Sequence, residues 1–340
     1  MKKWFAGFLL LCSLGSDAQL NLIGNFNPAG VTSLCALGYD HVQGRVWIYN
    51  CFGDSLLCYD TTGQKLFSVP APGEAANDVD IEIAPTSFVM AGTSIPQGSL
   101  LFVNGETDSA EIYAIDPLSG IVLDTLLTSF GNSHVVGGAY HIPSGSFYLI
   151  QDNVPSATLS NRVAEVHALS GQVIQSYQIA SLYDVSYGDL EGAENGHLYV
   201  VSSIEDSILE ITAQGQLVQM HDLPAGVSNV SGFDFDCGAA TVWLCNTNGV
   251  VYHLGQSNCN SATGVSTVYG THQVLSVSPN PSGDVFQVKG VGEGAVVYDL
   301  FGAEILRVKE EATLIDLRAS PAGAYVLRTT RGEVVRLIKY

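Results

Sequence analysis

Between residues 19 and 271 this chain carries almost no positive charge. Its 340 residues hold 13 Lys and Arg against 33 Asp and Glu, a net charge of −20. Two of the basic residues, Lys2 and Lys3, precede residue 19 and eight follow residue 271. Only Arg45, Lys65 and Arg162 remain for the stretch between, against 24 acidic residues. Nucleic acid and anionic membrane are thereby excluded as partners, since both are held by basic clusters that displace counterions. The expected ligand is cationic or bound through a cation.

Other absences narrow the reading further. No stretch reaches the roughly 18 apolar residues of a membrane span. There is no HExxH, GxSxG, P-loop or EF-hand pattern, and no CxxC or Cys/His spacing of a zinc site. Gly290-Val-Gly292-Glu-Gly294 lacks the helix that a dinucleotide site needs and reads as a hairpin turn. Ser133 beside His134 is adjacency in sequence, which is not triad geometry. No catalytic residue and no organic cofactor are assigned.

What is present begins with an export signal. Lys2 and Lys3 precede an apolar run from Trp4 to Leu14, and Ser16-Asp17-Ala18 places small residues at a cleavage site before Gln19. Residues 1–18 are therefore expected to be a signal peptide, with Cys12 discarded along with it. Six cysteines follow: Cys35, Cys51, Cys58, Cys237, Cys245 and Cys259. In an exported chain they permit up to three disulfides in fifteen pairings. Cys35 and Cys51, on expected neighbouring strands, form the favoured pair.

Residues 19–256 repeat one phrase five times. A turn Gly or Ala leads into an aromatic and aliphatic strand at Gly44, Gly98, Gly145, Gly196 and Ala240, with spacings of 54, 47, 51 and 44 residues. After four of these comes a strand, a turn such as Asp60-Thr-Thr-Gly63 or Asp116-Pro-Leu-Ser-Gly120, and another strand. Units of four antiparallel strands at this period predict an all-β fold, a β-propeller. Five blades are expected, with six as the alternative because residues 70–97 are long for one connection. The last unit, ending near Leu254, lacks an outer strand, and Gln19 to Phe26 is suited to supply it and close the ring. The repeats resemble secreted NHL-like and lactonase-like propellers at the level of fold, which transfers no activity.

Carboxylates on the expected innermost strands form the candidate site. They are Asp78, Asp80 and Glu82; Asp189 and Glu191; Asp234 and Asp236. Alternation along a strand sends Asp78, Asp80 and Glu82 to one face, and Asp189 with Glu191 likewise. Convergence on the axial channel would suit calcium, which takes six to eight oxygen ligands. The function expected is a binding module without catalysis. A propeller hydrolase or lactonase with a metal in the channel is the alternative.

A polar linker, residues 257–271, leads to a module of different character. Residues 272–340 balance eight basic against eight acidic residues and alternate short β-type runs with turn signals, the pattern of a small β-sandwich. The order of an SPNP opening, Val297-Tyr-Asp-Leu-Phe-Gly302, Gly323-Ala-Tyr325-Val-Leu-Arg and a basic, aliphatic final strand resembles the C-terminal sorting domain of type IX secretion cargo. Pro279, Asn280, Pro281, Gly302, Gly323, Tyr325 and Lys339 match that pattern; Tyr340 after the lysine is a departure. The resemblance implies recognition by the outer-membrane secretion machinery and a cell-surface or extracellular destination.

Overall fold

The computed structural model describes residues 20–131, 134–154, 160–179, 183–193, 195–236 and 241–255, and, nearer the C-terminus, 276–278, 282–289, 294–299, 303–309, 314–329 and 334–340. The expected signal peptide, Gln19, the expected linker, Cys237, Cys259, Pro279, Asn280, Pro281 and Gly302 lie outside them. The chain divides into two compact units, residues 1–263 and 264–340. Described residues form strands and turns with no helix, and no helix is long and apolar enough to cross a membrane.

In the first unit, β1 (Asn21–Phe26) precedes a sheet of β2 (Leu34–Asp40), β3 (Arg45–Asn50), β4 (Ser55–Asp60) and β5 (Lys65–Pro70). Next come β6 (Val79–Ile83), a hairpin of β7 (Phe88–Met90) and β8 (Thr93–Ile95), then β9 (Leu100–Asn104), β10 (Glu111–Ile115) and β11 (Val122–Leu127). Here β6, β9, β10 and β11 make a second sheet, and the hairpin stands apart as its own pair. The long stretch before residue 98 is thus a lead-in, one inner strand and a hairpin, not an additional four-stranded unit. The third sheet is β12 (Val135–His141), β13 (Ser146–Gln151), β14 (Arg162–His167) and β15 (Val173–Gln178). The fourth is β16 (Asp189–Gly192), β17 (His197–Val201), β18 (Ser207–Thr212) and β19 (Leu217–Asp222). The fifth has β20 (Val230–Asp236), β21 (Thr241–Asn246) and β22 (Val251–Gly255), and its outer strand is β1, antiparallel to β22 from Asn21 opposite Gly255 to Phe26 opposite Val251.

The first strands of the five sheets pack side by side in the order β2, β6, β12, β16, β20 and back to β2. This closed ring of four-stranded sheets is the arrangement of a β-propeller. The core follows from it. The inner and middle strands bury both faces against neighbouring sheets while the outer strands β1, β5, β11, β15 and β19 stay largely exposed, so the middle strands read as continuous apolar runs; all of β9 and β13 is buried. Five apolar layers fill the five gaps, with Trp47 and Phe102 between the first and second sheets and Tyr39 stacked on Trp243 between the first and the fifth. The inner strands approach so closely that side chains are excluded at some crossings. A Cβ on Gly137 would lie 2.4 Å from the Leu190 nitrogen, and one on Gly232 would lie 2.7 Å from that of Leu37.

Local chemistry explains the repeated turns. Asp60 Oδ1 accepts the backbone N–H groups of Thr62 and Gln64, and Asp116 Oδ1 those of Leu118 and Ser119. An acidic side chain at the strand end satisfies turn donors that the ladder leaves free. Cys35 and Cys51 are disulfide-bonded, as favoured from the sequence. Cys58 and Cys245 are free and buried, so the upper limit of three disulfides is not reached.

In the second unit, β23 (Ser276–Ser278), β24 (Val285–Lys289), β25 (Ala295–Asp299), β26 (Glu304–Val308), β27 (Leu314–Asp316), β28 (Gly323–Thr329) and β29 (Val334–Lys339) form two sheets. Their orders are β23-β24-β27 and β26-β25-β28-β29, and they share a core that includes Phe286, Val297, Ile315 and Leu327. Tyr325 donates its hydroxyl to the Pro321 carbonyl, while the buried Lys339 ammonium donates to the carbonyls of Leu317 (2.8 Å) and Ser320 (2.6 Å). Tyr325 and Lys339 therefore secure one turn.

Candidate metal centre

A propeller's innermost strands present their free edges to the axis, where backbone N–H groups need acceptors. Carboxylates supply them here, each reaching across to the next strand in the ring. Asp80 Oδ2 and Glu82 Oε2 on β6 accept from Gly138 (3.1 Å) and Tyr140 (2.6 Å) on β12. Asp189 Oδ2 on β16 accepts from Phe233 on β20 (2.9 Å). Asp234 Oδ2 on β20 accepts from Tyr39 on β2 (2.6 Å). Three of the five strand crossings are stitched in this way.

The stitching gathers negative charge. One carboxylate oxygen each from Asp80, Asp189 and Glu191 lies within 4.8 Å of the others, and all three residues are buried. Glu82 and Asp234 add their fields to Glu191. Among the described residues the three basic side chains of this unit lie elsewhere: Arg45 covers Phe67, Arg162 covers Phe130, and Lys65 is exposed on β5. Burial without a counter-charge favours the protonated acid. It pushes Asp80 up to about 7 and Asp234 to about 8, and holds Glu82, Asp189 and Glu191 well above the ordinary carboxylate range. Asp80 and Asp189 share a side-chain hydrogen bond, which two carboxyl groups form only with a proton between them. Glu191 Oε1 is buried with no hydrogen-bond partner.

Of the seven candidate carboxylates, then, three converge and Glu82 and Asp234 stand close by. The other two separate. Asp236, at the end of β20, acts on the Tyr39 hydroxyl, which is pushed up to about 12 chiefly by burial and then by Asp236. Asp78, just before β6, faces His134 at 2.9 Å and groups with Asp152 instead of Asp189. Neither His134 nor Asp152 was singled out as a ligand from the sequence. A signal for Asp152 exists: it follows β13 at the repeat position held by Cys51, Gly105, Ser202 and Thr247 after the other second strands.

The end of the ring where inner strands begin also holds a cavity of about 300 Å³. Ser33, Cys51, Asn77 and Thr247 line it, together with two aromatics, Phe52 and Tyr187. Both aromatics are exposed, at 62% and 44%, and both have left-handed backbones, φ 59° and 45°. Such conformations cost bulky residues of order 1 kcal/mol or more and collect at binding sites.

No family model and no curated protein matches this chain. Among solved structures it is similar to a gluconolactonase from Xanthomonas campestris, with 14% identity and a TM-score of 0.46 over 71% of this chain and 90% of that one. A streptogramin B lyase matches at 13% identity and a TM-score of 0.37 over 95% and 97%. A Bacteroides caccae protein of unknown function matches at 13% and 0.38 over 63% and 70%.

Proposed function

We propose that this chain is an exported, five-bladed β-propeller that binds its ligand without catalysis and is held in shape by a hard divalent cation, calcium in class, at the axis. Asp80, Asp189 and Glu191 are its ligands, with Glu82 and Asp234 adding charge. The observation that carries this reading is Glu191 Oε1, buried and unpartnered beside two other acids with no basic residue to neutralise them. A buried charge needs a proton, a counter-ion or a metal. Calcium accepts an all-oxygen set of this kind, and in its absence protons do the same work less well. The exposed Phe52 and Tyr187 at the mouth of the ring offer apolar faces to a ligand, and the negative field selects a cationic one.

Thermal unfolding of the purified full chain tests the metal. Calcium should raise the midpoint, by about 2.7 kcal/mol of stability at a concentration 100 times the dissociation constant. Asp80→Asn with Asp189→Asn should abolish the rise. An unchanged midpoint in millimolar calcium for the unsubstituted protein would overturn the site.

Export rests on the N-terminal signal pattern and on the resemblance of residues 272–340 to a type IX sorting domain, which we read as a small β-sandwich recognised by the secretion machinery and then removed. Mass spectrometry of culture fluid and cell surface should find a form starting at Gln19 and lacking the C-terminal module. Confinement to the periplasm would count against it.

A further inference from the structure

Asp78, His134 and Asp152 meet at the same end of the ring, outside the axial set. Asp78 leads into β6, His134 leads into β12, and Asp152 follows β13, so two neighbouring sheets contribute. One ligand atom from each lies within 4.8 Å of the other two. Both aspartates are buried, at 2% exposure, whereas the His134 side chain is 34% exposed. Asp78 Oδ2 is 2.9 Å from His134 Nδ1, and Asp78 Oδ1, on the same buried side chain, has no hydrogen-bond partner. The backbone fixes the pair: the Asp152 N–H donates to the His134 carbonyl at 3.0 Å, and Asp152 Oδ1 accepts from the Val154 N–H at 2.9 Å. Glu106 and Asp184 add to the negative field, and no lysine or arginine acts on either aspartate.

We propose that Asp78, His134 and Asp152 form a second cation site, for a borderline divalent transition ion of the zinc class. Nitrogen decides the class. Calcium and magnesium take oxygen donors, while an imidazole with carboxylates suits zinc and its neighbours in the first transition row. The 2.9 Å between Asp78 and His134 agrees, since two ligands bonded to one ion at about 2.0–2.1 Å, at angles between 90° and tetrahedral, stand about 3 Å apart, and Asp152, within 4.8 Å of both, closes onto the ion on binding. On binding, the ion takes the place of the hydrogen between Asp78 and His134, and the imidazole carries its hydrogen on Nε2. Asp78 Oδ1 gains a partner. Three protein ligands leave a coordination position on the exposed flank of His134, open to water or to a donor atom of a bound ligand. This site shares no residue with the axial one, and calcium bound at the axis would not fill it.

Cobalt(II), whose d–d absorption reports its ligands, is the probe, with zinc as competitor, both added to the full chain in millimolar calcium. One equivalent of cobalt should bind with a nitrogen-containing spectrum and be displaced by one equivalent of zinc. His134→Ala and the near-isosteric Asp152→Asn should each lose the signal yet keep any calcium-dependent midpoint shift, while Asp80→Asn with Asp189→Asn should keep the cobalt spectrum. Circular dichroism verifies that each variant is folded, and Asp152→Asn decides if His134→Ala is not. No cobalt bound at one equivalent, or an unchanged spectrum in folded His134→Ala or Asp152→Asn, overturns the proposal. Failure of calcium to stabilise the protein bears only on the axial reading.

Discussion

The axial carboxylates of the ring and the surface carboxylates of the C-terminal module are the same chemical groups put to opposite use. In the module, Asp316 lies 2.5 Å from Arg318 and Glu304 lies 2.7 Å from Arg307, all exposed. The arginine hydrogen bonds hold Asp316 down at about 2 and Glu304 below its usual range. On the axis, burial acts with no cation to oppose it, and the same kinds of side chain rise to about 7 and beyond. A carboxylate's behaviour is set by whether water or a counter-charge can reach it, not by its identity. The module has eight basic residues to deploy and the stretch from 19 to 271 has three, so the difference is rooted in composition.

The largest expected effect is the pH response of the metal-free ring. Its acids have folded pKa values above the 3.8 and 4.5 of unfolded Asp and Glu, so between those values the folded state binds more protons. Stability is then fully present below about pH 4 and falls as pH rises through 7 to 8. Unfolding midpoints in chelator from pH 4 to pH 8.5 should decline, and Asp80→Asn with Asp189→Asn should flatten the decline. A flat profile for the unsubstituted ring would break the contrast with the module.

A smaller effect of opposite sign is expected inside the ring itself. Glu210 on β18 is buried between His197 Nδ1 at 2.6 Å and His221 Nε2 at 2.7 Å. Burial is the largest influence and acts upward, but the hydrogen bonds from His221 and His197 outweigh it and bring Glu210 to about 2. A depressed folded value contributes stability above the unfolded 4.5 that is lost as pH falls towards 2. Glu210→Gln should therefore narrow its stability gap to the unsubstituted protein between pH 4.5 and pH 2. A gap independent of pH there would show that Glu210 acts by shape alone.

The smallest effect belongs to the module. Exposed ion pairs are screened and cost side-chain entropy to hold, so Arg318→Ala should leave the unfolding midpoint of the full chain unchanged within error. A clear drop would mean that the module's carboxylates also depend on their partners, and the two regions would differ less than proposed.

Much of the ring was legible beforehand because repeats and strand periodicity are local. The turn glycines at 44, 98, 145 and 196 and the apolar runs after them marked the second strands, and the truncated fifth unit called for an outer strand that β1 supplies. Residues 70–97, long for one connection, left six units as an alternative to five, since a three-residue β7 and β8 carry too little pattern to be recognised as a hairpin. In the site, Asp80, Asp189 and Glu191 were legible as carboxylates alternating on inner strands. His134 and Asp152 were not, because each lies just outside a strand, where alternation assigns no face, and only the repeat position after the second strand marks Asp152.

The sequence alone determined that the ring is acidic, repetitive and all-β, and that its carboxylates recur on first strands, because charge and period are properties of the chain itself. Only the tertiary structure decided which of those carboxylates meet. Asp78 and Asp80 stand two residues apart, yet one joins His134 and the other Asp189. That choice depends on the approach of β12 and β16 from other sheets, and on the missing side chain at Gly137 that lets β16 come within reach.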